Sequence, residues 1–308
     1  MTKFFKYVVW LSSVGILIIL AGTYWMGTQL TAPAHTRISP SSFVPRPQSI
    51  QFLDPSGKQL AGWLVPGNPA CGTVILMHAV RSNRLGMASR VPFLHDAGYS
   101  VLLFDFQAHG ESEGETITYG ALEKEDVRAA IQYVRQGNPS SQIGLIGFSL
   151  GGTAAVLTDA SLQADVLILE AVFSTLDQAI VNRVRQKVGL LAPLLAYPLL
   201  WHFHFFYGID PAGLRPIDAI HSLPVPTLVI GGTDDQHTLR SETEALFSQA
   251  QSPKELWLIT GARHQDFHLY APAEYETRVR AFLNTHLHCP QTSSALQSDS
   301  LSSKEFTP

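Results

Sequence analysis

A serine hydroxyl attacks a carbonyl carbon efficiently only when a base takes its proton and a carboxylate orients that base. This chain carries residues suited to all three tasks. Ser149 lies in Gly147-Phe148-Ser149-Leu150-Gly151, a G-x-S-x-G segment between an apolar run and the small residues Gly152-Thr153-Ala154-Ala155. On so sharp a strand-to-helix turn the serine is held in strained backbone with its hydroxyl clear of the sheet. The flanking glycines are needed because a Cβ there would strike the adjoining strand and helix. The amide of Leu150 and the positive end of the following helix then face the position where an oxyanion would form. Two adjacent carboxylates, Asp234 and Asp235, follow a later apolar run, and His264 follows the next one. The order along the chain is thus Ser, Asp, His.

For these groups to meet, each must sit at the same edge of one sheet. Short apolar strands are expected at 73–77, 100–104, 143–147, 166–170, 227–231 and 256–260. Helices are expected near 84–97, 119–135, 150–159, 240–249 and 272–288. Such alternation predicts a mostly parallel sheet covered on both faces, with sites at the carboxyl ends of its strands. Ahead of it, runs at 49–53 and 60–65 bracket Asp54-Pro55-Ser56-Gly57-Lys58, which reads as an antiparallel hairpin.

The chain has 308 residues, of which 45% are hydrophobic and 15% charged, enough for one large α/β domain. A formal net charge of -4 gives no footprint for nucleic acid. The two cysteines, Cys71 and Cys289, allow one disulfide and no metal cluster; spacing leaves their pairing open. At the N-terminus, Lys3 and Lys6 precede an uncharged run from Tyr7 to about Met26, and about twenty helical residues cross one hydrocarbon core. Tyr7, Trp10, Tyr24 and Trp25 near its ends suit the interface. We read residues 1–28 as an uncleaved transmembrane anchor in preference to a signal peptide. Its N-terminus is expected on the cytoplasmic side and the remainder on the far, periplasmic or extracellular, side, although Arg37 and Arg46 oppose this. Residues 29–48, rich in Pro, Ser and Thr from Thr31 to Pro47, read as an extended tether. Residues 49–289 read as the catalytic domain, and the serine-rich 290–308 as a disordered tail.

At these residues the chain resembles the α/β-hydrolase superfamily, from about residue 49 to 288. Three further stretches carry the likeness. Val74-Ile75-Leu76-Met77-His78-Ala79-Val80 is similar to the family's strand ending in His-Gly-x. Asp105-Phe106-Gln107-Ala108-His109-Gly110-Glu111-Ser112 resembles its D-x-x-x-H-G-x-S loop. Gly208-Ile209-Asp210 through Pro216-Ile217-Asp218 resembles the segment before the acid-bearing strand. The greatest similarity is to membrane-anchored hydrolase-domain proteins and to the serine-aminopeptidase-like, monoacylglycerol-lipase-like branch. The resemblance implies an α/β-hydrolase fold with a small helical cap, at about 173–218. It also implies Ser149 as nucleophile, Asp235 as acid (by the form Gly-x-x-Asp counted from Gly232) and His264 as base. The backbone amides of Val80 and Leu150 would form the oxyanion hole, with Ala79 standing where the family has glycine. Neither metal nor organic cofactor is implied.

Other residues compete for these roles or for different ones. His268 follows His264 by four residues; it reads as a neighbour of the site or a surface residue, or with His264 as a metal pair lacking a third ligand. Glu170 is a fallback acid. Arg81, Arg84 and Arg90 read as a solvated helix face, with a minor alternative in which Arg81 or Arg84 meets an anionic part of the substrate. His78 and His109 are expected to brace loops, and the His202/His204 and His286/His288 pairs to be structural. The apolar stretch 188–207 is expected to form a cap buried against the core, not a second span. Its surface would wall an acyl cleft or dip into the bilayer. The expected activity is cleavage of an ester, thioester or possible amide of an apolar, lipid-like acyl substrate. The alternatives are a serine peptidase, an acyltransferase, or a non-catalytic binding protein on the same fold.

Overall fold

The computed structural model describes residues 2–39, 46–158, 162–287 and 289. The expected tail at 290–308 lies outside these. Among the described residues there are ten strands: β1 (Ala34–His35), β2 (Gln48–Leu53), β3 (Gln59–Val65), β4 (Thr73–Met77), β5 (Ser100–Phe104), β6 (His109–Gly110), β7 (Ile143–Phe148), β8 (Val166–Glu170), β9 (Thr227–Gly232) and β10 (Lys254–Ile259). Eight of them form one sheet in the order β10-β9-β8-β7-β4-β5-β3-β2. Within it β3 runs antiparallel to both β2 and β5, and the remaining pairs are parallel. The helices are α1 (Thr2–Thr31), α2 (Val91–Asp96), α3 (Glu123–Gly137), α4 (Leu150–Val156), α5 (Leu176–Val188), α6 (Ala192–Tyr207), α7 (Pro216–Ala219), α8 (Arg240–Gln249), α9 (Phe267–Tyr270) and α10 (Pro272–His286).

The central strands are buried on both faces, which is why β4 and β8 read as near-continuous apolar runs, broken only at Thr73 and Glu170. Successive residues face opposite ways. Leu145 joins the core under α3, α4 and α8, while Ile146 joins the one under α2 and α10. Cys71 and Cys289 form a disulfide, closing the question left by their spacing.

Two helices depart from expectation for local reasons. The segment 84–97 is a 3-10 turn over Arg84–Arg90 followed by α2, because Pro92 lacks the amide that a continuous helix would use. Helix α3 starts four residues late. Tyr119 and Gly120 have φ of 56° and 108°, and the Glu123 carboxylate accepts from the amides of Thr118 and Gly120, making a closed turn ahead of the helix.

The tether is extended, but it is not free. Helix α1 continues to Thr31, after which β1 pairs in parallel with β6, and the amides of Thr36 and Ile38 donate to Gly110 and Glu111. Residues 40–45 of that segment lie outside the described residues. Helix α1 is long and apolar enough to cross a membrane, with its large side chains from Phe4 to Leu20 exposed. Four of its hydroxyls donate back to carbonyls of the same helix, among them Ser13 to Val9 and Thr23 to Ile19. The cap is a helical pair, α5 and α6, broken at Gly189 (φ 59°). At 16 residues α6 is about 24 Å long, shorter than a hydrocarbon core of about 30 Å.

Candidate active site

Ser149 stands between the end of β7 and the start of α4 with φ 51° and ψ -107°, in a region that non-glycine residues rarely occupy. The turn is enforced from both sides. A Cβ on Gly147 would stand 2.3 Å from the amide nitrogen of Gly152, and one on Gly151 would stand 2.3 Å from the carbonyl oxygen of Met77. The Ser149 amide donates to the carbonyl of Glu170 on β8 (2.7 Å). Leu150 is the first residue of α4, and N–H groups in a helix's first turn lack intrahelical acceptors.

Asp235 follows β9 and is 2% exposed. Its Oδ1 accepts from the amides of His237 (2.7 Å) and Thr238 (2.9 Å), which leaves Oδ2 to the imidazole of His264 at 2.8 Å from Nδ1. Asp234 points elsewhere: it is exposed and accepts from Thr233. The His264 ring stacks on His237, with centroids 4.9 Å apart and planes within 12°, and lies 5.2 Å from the ring of Phe148, the residue before Ser149. Three strand ends therefore bring Ser149, Asp235 and His264 to one rim of the sheet. The Asp235–His264 contact is closed; among the described hydrogen bonds none joins Ser149 Oγ to His264. Such contacts are often long in the absence of substrate.

Val80 lines the same cleft as Ser149 and Leu150. Its loop is braced by two buried imidazoles. The Phe106 amide donates to His78 Nε2 (3.1 Å) and the Arg81 amide to His109 Nε2 (3.0 Å), so each ring carries its proton on Nδ1 and donates it to a carbonyl, of Ala79 and Gln107 respectively. Burial pulls the His78 imidazole down to about 3 and also lowers His109, so both rings are neutral.

Other assignments change. Arg84 and Arg90 are not a solvated face: they are 3% and 0% exposed. Arg84 pairs with Asp105 and Glu111, and Arg90 with Glu170 and Asp266. A buried guanidinium persists only with such partners. Arg81 donates to the carbonyls of Gln29 and Ala32. Glu170 is held by Arg90 and by the Tyr275 hydroxyl, not by His264, so the fallback acid is removed from the site. His268 is buried against Phe93 and Tyr275 and meets Glu276, so it neither lines the cleft nor shares a partner with His264. His202 packs on Tyr24 and Phe206; His288 lies outside the described residues.

Ser149 opens onto a cleft of about 440 Å³, within the range of small-molecule sites. Its walls are mostly apolar: Phe173, Leu176, Ile180 and Val184, then Leu195 and Leu199 of α6, and Met26 and Leu30 of α1. Arg183 and Lys187 also line it, and among the described residues no carboxylate does. His237, which also lines it, is pulled down to about 4, chiefly by burial and further by Arg183. Residue types gave no hint of His237, Arg183, Met26 or Leu30; the one available signal was that His237 follows Asp235 by two residues.

A doubly wound sheet carrying a nucleophile-type elbow and an acid–imidazole pair at its carboxyl edge defines a class of fold. The chain belongs to the alpha/beta hydrolase family, whose model matches residues 64–278. It is 28% identical over 247 residues to the uncharacterized protein YqkD of Bacillus subtilis, covering 77% of this chain and 80% of that one. It is 30% identical over 241 residues to the uncharacterized protein YfhR of Salmonella typhi, covering 71% and 75%. Among solved structures, the esterase Pf2001 of Pyrococcus furiosus shares the fold, with a TM-score of 0.69 and 24% identity over 83% of this chain and 99% of that one. The expected hydrolase fold thus holds.

Proposed function

We propose that the protein is a membrane-anchored serine hydrolase that cleaves esters or thioesters of an apolar acyl substrate. The observation that carries this reading is the 2.8 Å contact between Asp235 and His264 beside a strained Ser149 that opens onto an apolar cleft. In this account Ser149 Oγ attacks the carbonyl carbon while His264 Nε2 takes its proton. Asp235 keeps the proton of Nδ1 in place and stabilises the imidazolium. The amides of Val80 and Leu150 receive the oxyanion, each donor contributing about 3 kcal/mol to lowering the barrier. His264 then protonates the leaving oxygen or sulfur, and a water that it activates clears the acyl-enzyme.

Helix α1 is the anchor in this reading, with Lys3 and Lys6 on the cytoplasmic side and the hydrolase domain on the far side. The Cys71–Cys289 disulfide supports that placement, since disulfides persist in oxidising compartments. The test is hydrolysis of p-nitrophenyl esters of graded chain length by the full chain and by Ser149→Ala. The parent should turn over and Ser149→Ala should lose at least about a thousandfold; equal rates in the two would remove the triad.

A further inference from the structure

The N-terminal helix does more than its apolar length requires. Met26 and Leu30 lie one turn apart on the same face of α1 and line the cleft into which Ser149 opens. Across from them stand Leu195 and Leu199, likewise one turn apart on α6. The end of α1 is fastened there by contacts that an anchor alone would not need. The Tyr24 ring meets His202 at 5.0 Å and Phe206 at 5.3 Å. At Gly27 the two helices approach so closely that a Cβ would stand 2.0 Å from the His202 ring. The Tyr119 hydroxyl donates to the carbonyl of Leu30 (3.1 Å), and Arg81, next to the oxyanion-loop residue Val80, donates to Gln29 and Ala32.

We propose that the last two turns of α1 form a wall of the acyl-binding cleft, and that the cleft takes a single long acyl chain of an amphiphile drawn from the bilayer that α1 crosses. The substrate class deepens the hydrolase reading and rests on it. The N-terminal part of α1 exposes Phe4, Leu17 and Leu20, and the outer face of α6 exposes Tyr197, Trp201 and Phe205, so apolar surface continues from the cleft wall to the lipid-facing helix. Aromatic rings of this kind favour the level where chains meet headgroups. An acyl chain lying against Met26 and Leu30 therefore leaves the membrane without crossing open water, and its carbonyl reaches Ser149, which lines the same cleft. Arg183 and Lys187, with no carboxylate among the described lining residues, set the cleft against cationic headgroups.

The test uses the full chain in detergent with p-nitrophenyl butanoate and dodecanoate. Leu30→Trp, and independently Met26→Trp, fills the cleft from the α1 side. In each, the ratio of kcat/KM for the long ester over the short one should fall at least tenfold. Ile18→Trp, on the lipid-exposed part of the same helix, should leave the ratio alone. A ratio within twofold of the parent in both cleft variants, with melting temperatures preserved, overturns the proposal. If the parent hydrolyses neither ester, the hydrolase reading fails, and binding of a fluorescent long-chain fatty acid decides the wall. Affinity lowered tenfold or more by Leu30→Trp supports it; unchanged affinity overturns it.

Discussion

The carboxyl rim of the sheet and the cap that covers it are built on opposite principles. At the rim, the acid and the imidazoles that brace the neighbouring loop are held by directional hydrogen bonds. Asp235 divides its oxygens between two backbone amides and His264, and His78 and His109 each use both ring nitrogens to brace the loop before Val80. In the cap and the end of α1, most of the packing is apolar, with Leu190, Trp201 and Phe205 exposed and with a few hydrogen bonds, such as those of Tyr119 and Arg81 to carbonyls of α1, beside it. Directional bonds hold reacting atoms within fractions of an ångström. Non-directional packing only has to exclude water and match a shape. The division is the one the proposed function calls for, rigid chemistry acting on an apolar substrate.

The largest effect expected from breaking this contrast comes from its most bonded residue. Asp235→Asn should lower turnover by about ten-thousandfold, because an amide cannot hold the imidazole in the required tautomer. Asp234→Asn, one residue away and exposed, should change it by less than threefold; steady-state kinetics of the two variants gives the comparison. Next in size is Arg90→Met. It strands Glu170 in the core without its cation, and removing one partner of a buried pair costs about 3–5 kcal/mol. Chemical denaturation in detergent reads this as a lowered midpoint, whereas Arg278→Met, whose pair with Glu274 is exposed, should shift stability by less than about 1 kcal/mol.

A smaller effect follows from the imidazoles. His78 and His237 titrate at about 3 and about 4 in the folded chain. The unfolded chain, with histidines near 6.5, binds more protons than the folded one below that pH. The stability that these two neutral imidazoles contribute is therefore full above about pH 6.5 and falls as the pH drops towards the folded values. Melting temperatures should decline on acidification through this window, and less steeply in His78→Gln. The smallest effect is expected in the cap. Trp201→Ser should change the melting temperature by no more than a degree or so, since the ring is exposed, and surface substitutions commonly stay within about 0.5 kcal/mol. The same variant should bind lipid vesicles more weakly, as co-sedimentation would register.

How much of this was legible in the sequence follows the same line. The elbow and the strand ends are local signals, a glycine pair around a serine and apolar runs closed by turn residues, and β4, β5 and β8 begin and end where the pattern says. The choice between Asp234 and Asp235 needed a family form, and the backbone then shows why: only the second carboxylate turns inward to Oδ1 contacts at 237 and 238. Arg84 and Arg90 were illegible because their burial depends on carboxylates up to 176 residues away, such as Asp266. Met26 and Leu30 were hidden for a different reason. In an apolar helix every residue looks alike, and only the approach to α6 at Gly27 singles out the face that meets the cleft.

The proposed function requires Ser149 to be a nucleophile activated by the pair Asp235–His264. Treatment of the full chain with a fluorophosphonate probe, followed by peptide mass mapping, decides this. One adduct is expected, on Ser149, lost in Ser149→Ala and formed far more slowly in Asp235→Asn. Labelling that persists in Ser149→Ala, or that proceeds at the parental rate without the Asp235 carboxylate, would contradict it.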